Sequence, residues 1–227
     1  MMTNLVLIHG AGGNKHELTS LAEAIGPNLA YWNFNMLGHG GRPEPEVYGV
    51  EEIAEDLMRG LDHAGVGPAF FFGYSFGGII ALYLAREYPE RVRGCCMLGT
   101  KIRFDENTVR HFMHILDPAR TAKMGVVEPW ITAIHAKHRM LLASVDQLGG
   151  EDVVEQRMRG MTRPVLAING NADPMVGVAE TERVVELVPN GRYAIFEGSA
   201  HPLSKVPLDV VADQVRNFII DVEALGL

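Results

Sequence analysis

The chain has 227 residues, 47% of them hydrophobic and 21% charged, with a formal net charge of -8. That length holds one large domain with a sizeable core and is short for two, and the composition belongs to neither a disordered nor a fibrous chain. The acidic balance leaves no basic excess to neutralise phosphates, which argues against a nucleic-acid or anionic-membrane binder and mildly against acidic substrates.

Short apolar runs bounded by glycine or proline alternate with longer helix-period stretches, the signature of a βα series and a mainly parallel sheet. The first is "NLVLIHGAGGNKHE": a strand over 5–8, then a turn with Gly10, Gly12 and Gly13. A dinucleotide fingerprint beginning at Gly10 and Gly12 would need its third glycine where Lys15 stands, and the P-loop pattern is not met either. Both phosphate readings therefore fail on spacing. His9 is read as organising this turn.

A helix is predicted over 16–25, a strand over 30–35 and a helix over 50–63. Next comes "FFFGYSFGGII", a strand over 69–74 leading into a helix over 76–88. Gly73-Tyr74-Ser75-Phe76-Gly77 is the G-x-S-x-G pattern in its strand-to-helix setting. On that sharp turn Ser75 takes a strained backbone conformation with its hydroxyl above the sheet, and the glycines on either side relieve crowding. A strand over 93–98 contains both cysteines, Cys95 and Cys96. Neighbours in an apolar strand are poorly placed for an ordinary disulfide, so both are read as inert core thiols.

From 100 to 163 no strand-like run occurs, which predicts a helical insertion between two strands of a core formed by 1–99 and 164–227. The insertion holds five methionines, Met113, Met124, Met140, Met158 and Met161, and two H-x-x-H pairs, His111 with His114 and His135 with His138. The histidines lack neighbouring cysteines or a carboxylate at ligand spacing, so no metal site is assigned. Asp117 and Asp146 are read as solvated. Strands over 165–169 and 193–197 and helices over 178–188 and 208–224 complete the series.

A serine hydroxyl needs a base within hydrogen-bonding reach and a third group to orient that base. "FEGSAHPLS" puts His201 in the loop after the last strand, and "INGNADPMV" puts Asp173 in the loop after the strand before it. Serine, aspartate, histidine is the chain order stated for α/β-hydrolases. Asp105 is the rival for the acid, since it also lies between Ser75 and His201. Asp173 is favoured because it sits in a short turn directly after a strand.

With "LIHGAGG", "LGHGGR", "GYSFGG" and the "GNAD" and "GSAH" pair in order, the chain resembles the α/β-hydrolase superfamily, specifically its small, cap-bearing esterase and lactonase branch. The resemblance implies a doubly wound α/β fold without the usual first hairpin, a short helical cap over 100–163, and a serine hydrolase mechanism with no cofactor. It implies Ser75, His201 and Asp173 as nucleophile, base and acid, with an oxyanion hole made by the backbone N–H groups of Phe76 and Ala11. "NMLGHGGR" departs from the family's D-x-x-G-x-G-x-S segment, Asn35 replacing the aspartate and Arg42 the serine. His39 is read as structural.

The expected substrate is a small or medium apolar carboxylic ester, lactones included. The same constellation also serves thioesterases, acyltransferases and carbon-carbon bond hydrolases, and some proteins on this fold bind a ligand without turning it over. No basic leader or apolar run of about 18 residues occurs. A cytoplasmic monomer or homodimer acting on a small molecule, without nucleic acid or membrane partners, is expected.

Overall fold

In the computed structural model, residues 2–43, 49–102, 114, 117–123, 158–188 and 190–226 are described. Six strands, β1 (Thr3–Ile8), β2 (Leu29–Asn33), β3 (Ala69–Tyr74), β4 (Val92–Leu98), β5 (Val165–Gly170) and β6 (Gly191–Phe196), form one sheet in the order β2-β1-β3-β4-β5-β6. Every neighbouring pair is parallel. The described helices are α1 (Thr19–Ile25), α2 (Val50–His63), α3 (Phe76–Glu87), α4 (Pro118–Lys123), α5 (Val178–Leu187) and α6 (Leu208–Ala224), with a 3-10 turn at Leu203–Lys205.

Both faces of the sheet are covered, which is why its strands read as continuous apolar runs instead of alternating ones. Val6, Ile8, Phe71, Cys95, Met97 and Val165 pack toward α2, α3 and α5. Leu5, Leu7, Phe70, Phe72, Cys96 and Leu98 pack toward α1 and α6. Adjacent strand residues point to opposite faces, so Cys95 and Cys96 lie on opposite sides of the sheet. Both are fully buried, and burial pushes the Cys95 thiol up to about 12 and the Cys96 thiol well above its usual value. Neither forms a disulfide.

Helices α2 and α6 span the residues that their apolar periodicity predicts. Helix α1 starts three residues later than predicted, at Thr19. The reason is local: the Asn14 side chain accepts the His16 N–H at 2.9 Å, and the Asn14 and His16 carbonyls accept the N–H groups of Glu17 and Thr19, a run of turns that delays the helix. β2 ends at Asn33 instead of 35.

The predicted insertion over 100–163 lies mostly outside the described residues, including Asp105, His111, His135, His138 and Asp146. Of its described residues, Met158 and Met161 are buried in the core cluster to which α2, α3 and α5 contribute, and His114 is exposed. The chain leaving β4 is tied to α5: Lys101 pairs with Glu180 at 3.1 Å and the Ile102 N–H donates to the same carboxylate at 3.2 Å. No described helix is long and apolar enough to cross a membrane.

The chain passes from β1 to one side of it for β2 and to the other side for β3, so the strand order reverses beside β1. In open parallel sheets, ligands bind outside the carboxyl ends of the strands at such a reversal. Ile8 pairs with Gly73 at that end, which brings the turn after β1 and the turn after β3 together.

Candidate active site

Ser75 joins β3 to α3 with φ 52° and ψ -115°, and is the one non-glycine residue with positive φ among the described residues. Three interactions hold this backbone: the Ser75 N–H donates to the Leu98 carbonyl at 2.8 Å, and the Ser75 carbonyl accepts the Gly78 N–H at 3.0 Å and the Thr100 hydroxyl at 2.9 Å. Such strain persists only where surrounding contacts over-determine it. The neighbouring glycines have the steric reason that the motif implies. A Cβ on Gly73 would stand 2.2 Å from the Gly77 carbonyl oxygen, and one on Gly77 would stand 2.2 Å from the Ile8 carbonyl oxygen. The turn fits only because both are bare.

The loop after β6 brings His201 to this turn. Its Nε2 lies 3.1 Å from the Ser75 Oγ, and its Nδ1 lies 2.8 Å from the Asp173 Oδ2. An ionised carboxylate only accepts, so Nδ1 carries the proton and Nε2 is left to accept one from the serine. The other Asp173 oxygen, Oδ1, accepts the N–H groups of Met175 at 2.8 Å and Val176 at 3.0 Å. Burial alone would raise the Asp173 carboxyl. The His201 hydrogen bond and charge, with the two backbone donors, outweigh it, and the carboxyl lies below its usual range.

Two further contacts fix His201. The Tyr74 hydroxyl donates to the His201 carbonyl at 2.8 Å, and the two rings sit 5.6 Å apart. Gly99, at φ 58°, underlies the pair; a Cβ there would meet His201 Nδ1 at 3.3 Å and Asp173 Oδ2 at 3.5 Å. Of the two candidate acids, Asp173 is in place against His201, and Asp105 falls outside the described residues.

The turn after β1 lies against the serine: a Cβ on Gly10 would be 3.0 Å from the Tyr74 ring and 3.5 Å from the Ser75 Cβ. The Phe76 N–H opens α3, where an N–H has no intrahelical acceptor. Among the described residues the Ala11 N–H also has no protein acceptor. His9 sits 1% exposed beneath the turn. Its Nε2 accepts the Met36 N–H at 3.1 Å, so its Nδ1 is the protonated nitrogen and donates to the Gly10 carbonyl at 2.8 Å. His9 therefore staples the turn after β1 to the segment after β2. Its ring hydrogen bonds go to Gly10 and Met36, and not to Ser75.

Burial lowers His9 to about 4, with the His39 ring 5.1 Å away adding to the shift and the Gly10 carbonyl opposing it. Because the folded value lies below the usual 6.5, the unfolded chain takes up the proton first. The stability that neutral His9 contributes is complete above pH 6.5 and drains away as pH falls toward 4, at up to about 1.4 kcal/mol per unit. Nitrogen-edited imidazole NMR checks this, with a His9→Gln spectrum for assignment. His9 is expected to stay neutral and Nδ1-protonated from pH 7 to pH 5; a ring that titrates near 6.5 would contradict the burial argument.

The two departures in "NMLGHGGR" have structural reasons. Asn35 accepts the Lys15 N–H through Oδ1 at 2.6 Å and donates through Nδ2 to the Gly40 carbonyl at 3.1 Å. An aspartate could not make that donation. Arg42 forms a two-pronged pair with Asp56, at 2.6 Å and 3.0 Å, and also donates to the Asn35 carbonyl.

Sequence reasoning missed Tyr74, Thr100 and Glu17. Tyr74 and Thr100 touch the site across 127 and 25 residues of chain, a separation without a local signal. Glu17 accepts the Gly10 N–H at 2.7 Å.

Comparisons with known proteins agree with this architecture. Residues 3–128, more than half of the chain, match the family profile described as alpha/beta hydrolase fold. The chain is 31% identical over 245 aligned positions to the poly(3-hydroxyalkanoate) depolymerase of Ectopseudomonas oleovorans, covering 96% of this chain and 84% of that protein. It is 32% identical over 97 residues to the pimeloyl-[acyl-carrier protein] methyl ester esterase of Neisseria meningitidis serogroup C, a match covering 43% of this chain and 36% of that protein. The chain thus spans about a third of the length of that relative. The crystal structure of lip1 from Acinetobacter baumannii AYE superposes with a TM-score of 0.83 at 20% identity, covering 98% of this chain and 85% of that one, a likeness of fold. The chain belongs to the alpha/beta hydrolase fold family.

Proposed function

We propose that the protein is a serine esterase that cleaves small or medium apolar carboxylic esters, lactones included, through an acyl-enzyme on Ser75. The observation that carries this reading is the unbroken chain of contacts from Ser75 Oγ through His201 to Asp173, seated on a strained strand-to-helix turn. Relatives named as a pimeloyl-[acyl-carrier protein] methyl ester esterase and a poly(3-hydroxyalkanoate) depolymerase support the ester as the bond cleaved.

In this reading the Ser75 oxygen attacks the acyl carbonyl carbon while its proton passes to His201 Nε2. The C=O electron pair moves onto the carbonyl oxygen. The N–H groups of Ala11 and Phe76 then stabilise an oxygen whose full charge exists only during reaction, which is where fixed donors are worth most. Asp173 stabilises the imidazolium without taking its proton. Collapse of the intermediate expels the alcohol, which receives the proton from His201. Water then repeats the sequence on the acyl-enzyme: His201 takes its proton, and the departing Ser75 oxygen is reprotonated.

A panel of p-nitrophenyl esters of increasing acyl length, run beside lactones and thioesters, tests the substrate class. The expected result is highest kcat/KM on a short or medium ester. Turnover confined to thioesters would overturn the ester reading.

A further inference from the structure

We propose that Glu17 is a positioning residue that aims the Ala11 N–H at the reacting oxygen by clamping Gly10; this rests on the esterase reading above. A glycine moves freely about its two backbone dihedrals, and the direction of the next N–H follows both of them. Gly10 is held on both sides. The peptide after it is pinned through its carbonyl, which accepts from His9 Nδ1 at 2.8 Å and from the Gly13 N–H at 3.1 Å. The peptide before it is pinned through its N–H, and the partner is the Glu17 carboxylate at 2.7 Å. Remove Glu17 and one of the two planes flanking Gly10 is released.

The carboxylate is folded into the turn. A Cβ on Gly13 would lie 2.3 Å from Glu17 Oε2 and 2.7 Å from its Cδ, so the far end of the turn is bare in order to admit it. Burial raises the Glu17 carboxyl above its usual range, opposed by the Gly10 N–H and by attraction to His201. Tyr74 in turn is raised by burial, and the Glu17 and Asp173 charges add to that shift. The ordinary role for an acid at this position would be to serve the N-terminus of α1. That helix begins later, at Thr19, and its first turn holds no acid. The turns at 14–19 deliver the side chain to Gly10 instead.

The test compares Glu17→Ala and Glu17→Gln on p-nitrophenyl butyrate and on a trifluoromethyl ketone, which forms an anionic adduct with an active-site serine. Glu17→Ala is expected to lower kcat about tenfold to a hundredfold with KM within about threefold, because misplacing a donor harms the transition state more than substrate binding. Inhibition by the ketone should weaken by a similar factor. Glu17→Gln keeps an acceptor oxygen for the Gly10 N–H and should stay within about threefold of wild type. Glu17→Leu, which fills the space without an acceptor, should behave like Glu17→Ala and serves if the alanine variant does not fold. Unchanged kcat in the alanine and leucine variants, a loss confined to KM, or an equal loss in Glu17→Gln would overturn the proposal alone. Wild-type protein that hydrolyses no ester and takes no fluorophosphonate on Ser75 would overturn the esterase reading and this one with it.

Discussion

Replacing Ser75 by alanine is expected to lower ester turnover by about 10⁵- to 10⁶-fold, since the members of the proposed triad would act as a unit. The fold should be spared. The contacts that hold the turn come from the Ser75 N–H and carbonyl, to Leu98, Thr100 and Gly78, and none needs the hydroxyl. Alanine also keeps the Cβ, so the strain at φ 52° is unaltered. A change of about 1 kcal/mol or less in stability is expected, the net worth of the hydrogen bond between the hydroxyl and His201 Nε2. Steady-state assay on p-nitrophenyl butyrate with a urea titration separates the two effects. Substantial turnover in pure Ser75→Ala protein would refute the nucleophile.

Asp173→Asn should cost about 10⁴-fold in kcat, for a reason visible in the loop after β5. The Met175 and Val176 N–H groups both donate to Oδ1, at 2.8 Å and 3.0 Å. An asparagine must present its carbonyl oxygen to those donors, which turns its NH2 group toward His201. His201 Nδ1 must then accept, its proton moves to Nε2, and the nitrogen facing Ser75 can no longer take a proton. The geometry survives while the tautomer is wrong. Asp105→Asn should change kcat by less than about threefold, and a larger loss there than at Asp173 would move the acid to the β4 side.

What the sequence made legible follows from how each feature is encoded. β3 is legible to the residue because its apolar run, with Phe70, Phe71 and Phe72 fully buried, ends at the tight turn made by Ser75. Helices α2 and α6 were equally clear because one face of each is continuously apolar. Ser75, Asp173 and His201 could be proposed because each lies in the first loop past a strand, where a parallel sheet collects its functional groups. Other features carry no periodic mark. The start of α1 is set by the run of turns that begins at Asn14, and the 3-10 turn at Leu203–Lys205 is too short to show a pattern. Glu17 looks like any acid near a helix start until its carboxylate is seen folded onto Gly10. Tyr74 looks like a strand residue until its hydroxyl is found on His201.

In the proposed mechanism Ser75 is made nucleophilic by the folded arrangement around it. Intact-mass and peptide mass spectrometry after brief treatment with a fluorophosphonate tests it most directly. One adduct per chain is expected, located on Ser75, lost on prior denaturation and much slowed in His201→Ala. Folded protein that stays unmodified while a known serine hydrolase in the same tube is labelled, or an adduct on another residue, would contradict it.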